Sequence, residues 1–178
     1  NFNPDISFTH RLNDYHADHR NAATLVPDAS YLLIVPNYVQ DAPAMKEMPA
    51  IMYLNDYFKE PPFKPVVAVD IGDVIDDKFK MLALHESQMF EWLPYTKGRL
   101  DEVPQNKEER LEWLHTPRVP RDMSKIDIDL INQNHNARQS EYREVKRAIV
   151  YRDTLIKCHG QEKGSKVIFA EAFGESEY

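Results

Sequence analysis

The stretch Val66-Val67-Ala68-Val69-Asp70-Ile71-Gly72-Asp73-Val74-Ile75-Asp76-Asp77-Lys78-Phe79 decides the reading of the fold. Val66 to Asp70 is a short continuous apolar run, the pattern of a strand buried on both faces. Gly72 breaks it. Asp73 then has the chemistry of a helix N-cap, with Asp76 and Asp77 in the first turn, where negative charge suits the helix dipole. Ile75, Phe79, Leu82 and Met89 follow at helical spacing and form one apolar stripe. A strand handing over to a helix in this way predicts an α/β protein with a mainly parallel sheet.

The same alternation extends outward. Residues 4–9 read as a buried strand, and residues 18–35 as a helix that ends before Pro36. Ala50 to Leu54 read as a further strand, and Pro61, Pro62 and Pro65 mark a connection. From Pro94 to Pro120 the character changes: charge is dense, four prolines occur, and only Lys107 to Leu114 has a helical pattern. Residues 124–159 read as a long polar helix, or two helices broken near residues 132–135, with Ser124 as cap and Gly160 as stop. Arg138, Arg143, Arg147 and Arg152 alternate with acids there, which predicts a salt-bridged face rather than an anion site. Residues 166–173 read as the last strand. The helical region 93–160 therefore reads as an insertion in a single domain over 1–178.

Composition bounds the function. The 178 residues suffice for a real core, and 42% of them are hydrophobic. A net charge of −7 argues against a nucleic-acid backbone as the main partner. No apolar run approaches a membrane span. One cysteine, Cys158, excludes an internal disulfide. The compartment is open: cytoplasmic by default, secreted or periplasmic if a leader precedes Asn1.

The chemistry-bearing stretch follows the first strand: Asp14-Tyr15-His16-Ala17-Asp18-His19. Open α/β sheets place their chemistry at the carboxyl ends of strands. With a helix starting near Asp18, His16 and His19 share one side of its first turn. Either imidazole could reach a metal, and Asp18 could orient a ring or simply cap the helix. One such string cannot complete a catalytic zinc site, which needs three protein ligands and an open position.

The surroundings make the motif more specific. Asn3 to His10, followed by Asn13-Asp14-Tyr15-His16-Ala17-Asp18-His19-Arg20, resembles the second half of the PIG-L/LmbE family of zinc-dependent N-acetylglucosaminyl de-N-acetylases. Val67 to Lys78 with His85-Glu86-Ser87-Gln88 is similar to that family's strand, helix and H-x-S-Q segment. Phe169-Ala170-Glu171-Ala172-Phe173 is similar to its closing strand. Two departures stand out. Ala17 replaces the usual proline, and the A-H-P-D-D-E motif, which supplies the family's other zinc ligands and its general base, is missing. The resemblance implies the C-terminal half of a Rossmann-like three-layer αβα fold. It also implies that the N-terminal part, or a second polypeptide, completes the site. The first strand would then expose an open edge and contact that partner; a homo-oligomer is a further possibility.

Carried over residue by residue, the resemblance makes His19 a ligand of Zn²⁺, with the other ligands outside this chain. His16 becomes the oxyanion-stabilising histidine or acid, and Asp18 its orienting carboxylate. Asp14 and Tyr15 would line the pocket for an N-acetylated amino sugar, although loop surface fits them equally well. His10 is a further, weaker candidate for the cleft. His85, Ser87 and Gln88 would hold active-site loops together rather than react. Trp92, Tyr95, Trp113 and His115 suit sugar stacking or core packing alike. The implied reaction is hydrolysis of the N-acetyl group from an N-acetylglucosamine-type sugar, with a thiol–sugar conjugate as a variant substrate. The alternative is a non-catalytic carbohydrate-binding or interaction module without the zinc.

Overall fold

The computed structural model describes residues 2–56, 58, 60–133 and 140–177. Four strands and eight α-helices follow one another along them: β1 (Ile6–Thr9), α1 (Ala17–Leu32), β2 (Ala50–Leu54), β3 (Val67–Asp70), α2 (Ile75–Ala83), α3 (Leu93–Thr96), α4 (Lys107–His115), α5 (Ile128–Gln133), α6 (Glu141–Val150), α7 (Arg152–His159), α8 (Gln161–Gly164) and β4 (Ala170–Glu175). The strand order is β1-β2-β4-β3. The α/β class read from the sequence holds at this level. The chain divides into two compact units, Asn1–Val67 with Ala172–Tyr178, and Ala68–Glu171.

In the first unit β1 pairs parallel to β2, with Ile6 opposite Ala50 and Thr9 opposite Tyr53. β4 runs antiparallel to β2, with Leu54 opposite Phe173. The sheet is therefore mixed. Hydrophobic pattern reports which residues are buried and carries no information on strand direction. β1 lies at one end of the order, and Ile6 and Phe8 are more than half exposed. The burial expected of residues 4–9 is met only at Thr9, because an edge strand is covered less than a central one. Phe8 does meet Phe173 at 5.0 Å between ring centroids. α1 starts one residue before, and stops three residues short of, the span read from the sequence. The apolar run at its end forms turns instead, with Ile34 N–H donating to Tyr31 and Val35 N–H to Leu32.

The second unit is built on α2. Ile75 and Phe79 are buried with Leu114, Val145, Phe169 and Ile131, and Leu82 and Met89 pack against them. The stripe read from the sequence is real, but Met89 belongs to a separate π-helical turn, Ser87–Trp92. Burial of each large side chain contributes about 1.5–3 kcal/mol. The described part of segment 93–160, expected as an insertion, is mostly helical and supplies Leu114, Val119 and Val145 to this buried set. Asp73 does not cap α2; it lies in a 3-10 turn, Gly72–Val74, and Val74 stands at the helix start. β3 is half open, with Ala68 buried and Val69 exposed, so its apolar run does not mean burial on both faces.

The polar region 124–159 resolves into α5, α6 and α7. Ser124 is not a cap: Asp122 Oδ1 accepts its N–H, at 3.0 Å. The break near residues 132–135 and Arg138 fall partly or wholly outside the described residues. Gly160 ends α7 with φ 81°, a conformation that favours glycine. Arg143 and Arg147 both meet Glu144, as the salt-bridged reading required, but Glu144 is buried. The last strand begins at Ala170 rather than at residue 166 and continues to Glu175.

Candidate functional site

The H-x-D-H stretch folds as the turn between β1 and α1, in the first unit. His16 is the N-cap of α1, with extended backbone (φ −100°, ψ 137°). Its ring Nδ1 accepts the Asp18 N–H at 3.2 Å. This corrects the alternative in which Asp18 caps the helix. His16 and His19 do share one side of the first turn, their ring centroids 5.1 Å apart and tilted by 40°. Tyr15, well exposed, presents its ring edge-on to both, at 5.8 and 5.3 Å.

Asp14 is the buried residue of the stretch. Its Oδ1 accepts the His16 backbone N–H at 3.0 Å and lies 2.9 Å from His19 Nδ1. Arg20 donates to the Asp14 carbonyl at 2.6 Å. His10 comes from the end of β1 and stacks on His19, 4.0 Å between centroids and 3° from parallel. Its Nδ1 is 4.0 Å from Asp14 Oδ2. Burial by itself would raise the Asp14 pKa. The His16 N–H, the His19 ring, and the charges of His19 and His10 outweigh it, so the carboxyl is held below its ordinary value. The sequence offers Asp14 as pocket lining or loop surface and His10 as a further residue of the cleft. The stack brings together residues nine apart across a strand end, and no local spacing rule signals that.

The residues that the sequence groups together lie apart. Asp18 is 85% exposed in its side chain, and its carboxylate is 3.8 Å from His16 Nδ1, a nitrogen already occupied by the Asp18 amide. The Asp18 carboxylate thus makes no hydrogen bond to His16; the ring is met instead by the Asp18 backbone N–H. In the neutral ring that occupied Nδ1 leaves the proton on Nε2, so His16 presents a donor. His85, Ser87 and Gln88 belong to the second unit, where all three are exposed. Ser87 and Gln88 line a shallow recess with Glu91, Trp92, Tyr95 and Leu100. Trp113 meets Phe90 at 6.2 Å, and His115 is buried.

Among the described residues, two groups have the composition of metal sites: His10, Asp14 and His19, and Asp76, His115 and Glu141. The second is committed elsewhere. Arg121 donates to both Glu141 oxygens at 2.7 and 2.8 Å, and the Val119 N–H and His115 Nδ1 complete the set. A cation there would displace a guanidinium. The first group has donors suited to zinc. A metal, however, lies in the plane of the imidazole that binds it. Two parallel rings stacked at 4.0 Å cannot both hold one ion in plane. The stack therefore leaves one of the two rings, with Asp14, able to meet an ion.

No family model matches this chain. One solved structure that it resembles is GalB, the 4-carboxy-2-hydroxymuconate hydratase from Pseudomonas putida KT2440. The TM-score is 0.55 at 14% sequence identity. The likeness covers 99% of this chain and 53% of that protein, so the chain spans about half its length. At this identity the likeness is one of fold. Among the described residues, no helix is long and apolar enough to cross a membrane.

Proposed function

We propose that this chain carries the histidine side of a metal-dependent, water-activating active site, and that the reaction is removal of the N-acetyl group from an N-acetylglucosamine-type substrate. One observation carries the reading: His16 and His19 stand side by side on the first turn of α1, with the ring of His16 offering a donor and that of His19 offering a ligand. The resemblance of residues 3–20 to the zinc de-N-acetylases supplies the substrate class. Bound zinc would polarise the amide carbonyl and lower the pKa of a water to about 7. His19 would hold the ion, together with ligands that this chain does not contain. His16 Nε2–H can donate a hydrogen bond to the oxygen that gains charge as the amide is attacked. Asp18 adds a negative charge beside His16, weakened by its exposure. Tyr15 offers an aromatic edge beside the pair, fit for the flank of a sugar ring.

The likeness to a hydratase favours a second reading within the same site: water added across a carbon–carbon double bond of an unsaturated polycarboxylate. The two differ in product. The complete protein, loaded with Zn²⁺, should release acetate from N-acetylglucosamine conjugates, thiol–sugar conjugates included. Bleaching of a conjugated dienoate's ultraviolet absorbance, without acetate release, supports the hydratase instead. Neither product, with no bound zinc, leaves a non-catalytic carbohydrate-binding module. In the complete protein His19→Ala should strip zinc; unchanged stoichiometry overturns the ligand assignment.

A further inference from the structure

Asp14 has a task that neither a pocket wall nor a metal ligand would perform. A single oxygen, Oδ1, receives the His16 backbone N–H at 3.0 Å and faces His19 Nδ1 at 2.9 Å. A carboxylate can only accept, so in the neutral His19 ring the proton sits on Nδ1 and the lone pair on Nε2. The side chain that does this is 7% exposed, and its own carbonyl is held by Arg20. The His10 ring lies flat on His19, so rotation of His19 about its Cβ–Cγ bond would break both the stack and the hydrogen bond.

We infer that Asp14 is the positioning residue of the pair: it sets the tautomer and ring angle of His19, fixes the spacing to His16 through the same oxygen, and is assisted by His10 as a stacking plate. This rests on the reading of His19 as a metal ligand. The opposite polarity of the two rings is the consequence that matters for chemistry. His16 takes an amide proton at Nδ1 and keeps its own on Nε2; His19 gives Nδ1–H to Asp14 and keeps Nε2 bare. Two histidines three residues apart are thereby divided into a donor and a ligand by one carboxylate and one backbone N–H. Partners of this kind behind a metal-bound histidine change metal affinity by about 10–100-fold when removed.

The test reads the tautomer directly. In protein labelled with ¹⁵N-histidine, at a pH where the rings are neutral and without metal, long-range ¹H–¹⁵N correlation should show His19 with its proton on Nδ1. His19→Gln assigns the signal. In Asp14→Ala the proton should move mainly to Nε2, as in free histidine. In Asp14→Asn, whose side-chain oxygen still accepts, it should stay on Nδ1. Wild-type His19 protonated on Nε2 overturns the inference, and so does a folded Asp14→Ala that keeps Nδ1–H. If Asp14→Ala fails to fold by circular dichroism, the wild-type and Asp14→Asn spectra decide. In the complete protein, Zn²⁺ affinity by chelator competition should fall about 10–100-fold in Asp14→Ala. An unchanged affinity refutes the positioning role while leaving His19 as ligand. The expected tautomers in a protein that binds no zinc would refute the functional reading and leave Asp14's role standing.

Discussion

Glu141→Ala tests the centre of the second unit. The Glu141 side chain is fully buried at the start of α6 and serves four groups: Arg121 with both oxygens, the Val119 N–H at 2.9 Å, His115 Nδ1 at 3.0 Å, and Arg118 at 3.5 Å. His115 is stacked on Phe79 at 4.2 Å, so the network is joined to the apolar core. Removing the carboxylate leaves the buried Val119 N–H without this acceptor, at a cost of about 1–3 kcal/mol. Breaking a buried pair costs about 3–5 kcal/mol in all. Arg121 is 45% exposed and regains water, which places the expected loss at the lower end of that range. Glu141→Gln keeps the shape and one acceptor, and should cost about 1–2 kcal/mol. Trp92 and Trp113 both lie in this unit, so urea unfolding followed by tryptophan fluorescence reports on it. With an m-value of about 2 kcal/mol/M, the Glu141→Ala midpoint should fall by roughly 1.5 M. A shift below about 0.3 M at unchanged m-value would refute the reasoning, because it would mean that water already serves these groups.

Acid should destabilise the same unit. Burial alone would raise the pKa values of Glu141 and Glu144, but Arg121, the Val119 N–H and His115 on the one, and Arg147, Arg143 and Lys78 on the other, hold both below the ordinary range. Lowered carboxylates stabilise fully above the unfolded value, about 4.3, and lose that contribution as pH falls below it through the folded value; a urea midpoint constant from pH 6 to 3 would contradict this. Gly164→Ala should lower the melting temperature, at a cost of about 1–3 kcal/mol, because a Cβ there would lie 2.5 Å from the Ile156 Cα and 2.6 Å from the Leu155 carbonyl oxygen, both backbone. An unchanged melting temperature would show that α7 and α8 part without cost. For the function proposed above, His16→Ala should retain zinc while kcat and kcat/KM fall together by about 10²–10³-fold; loss of zinc instead would exchange the roles of the two histidines.

Much of this protein is local and was legible in the sequence. The 3.6-residue period marked Ile75, Phe79 and Leu82 as one face of α2, and that face is buried. Gly160 stops α7 because its positive φ suits glycine. The three-residue spacing of His16 and His19 places both on one turn, whatever the rest of the chain does. Other features depend on partners distant in sequence. The direction of β4 against β2 leaves no trace in hydrophobic pattern, and the exposure of Ile6 and Phe8 follows from the place of β1 at a sheet edge. The division of labour at the site has the same origin. The family resemblance pairs the Asp18 carboxylate with His16, yet that carboxylate is exposed and 3.8 Å from the ring nitrogen. The fold gives the orienting contact to Asp14, since the chain turns there to put one buried oxygen between an amide and an imidazole. Sequence determines which groups exist and which share a helical turn; only the tertiary structure decides which carboxylate is desolvated beside which ring, and a hydrogen bond's effect on a tautomer depends on that geometry alone.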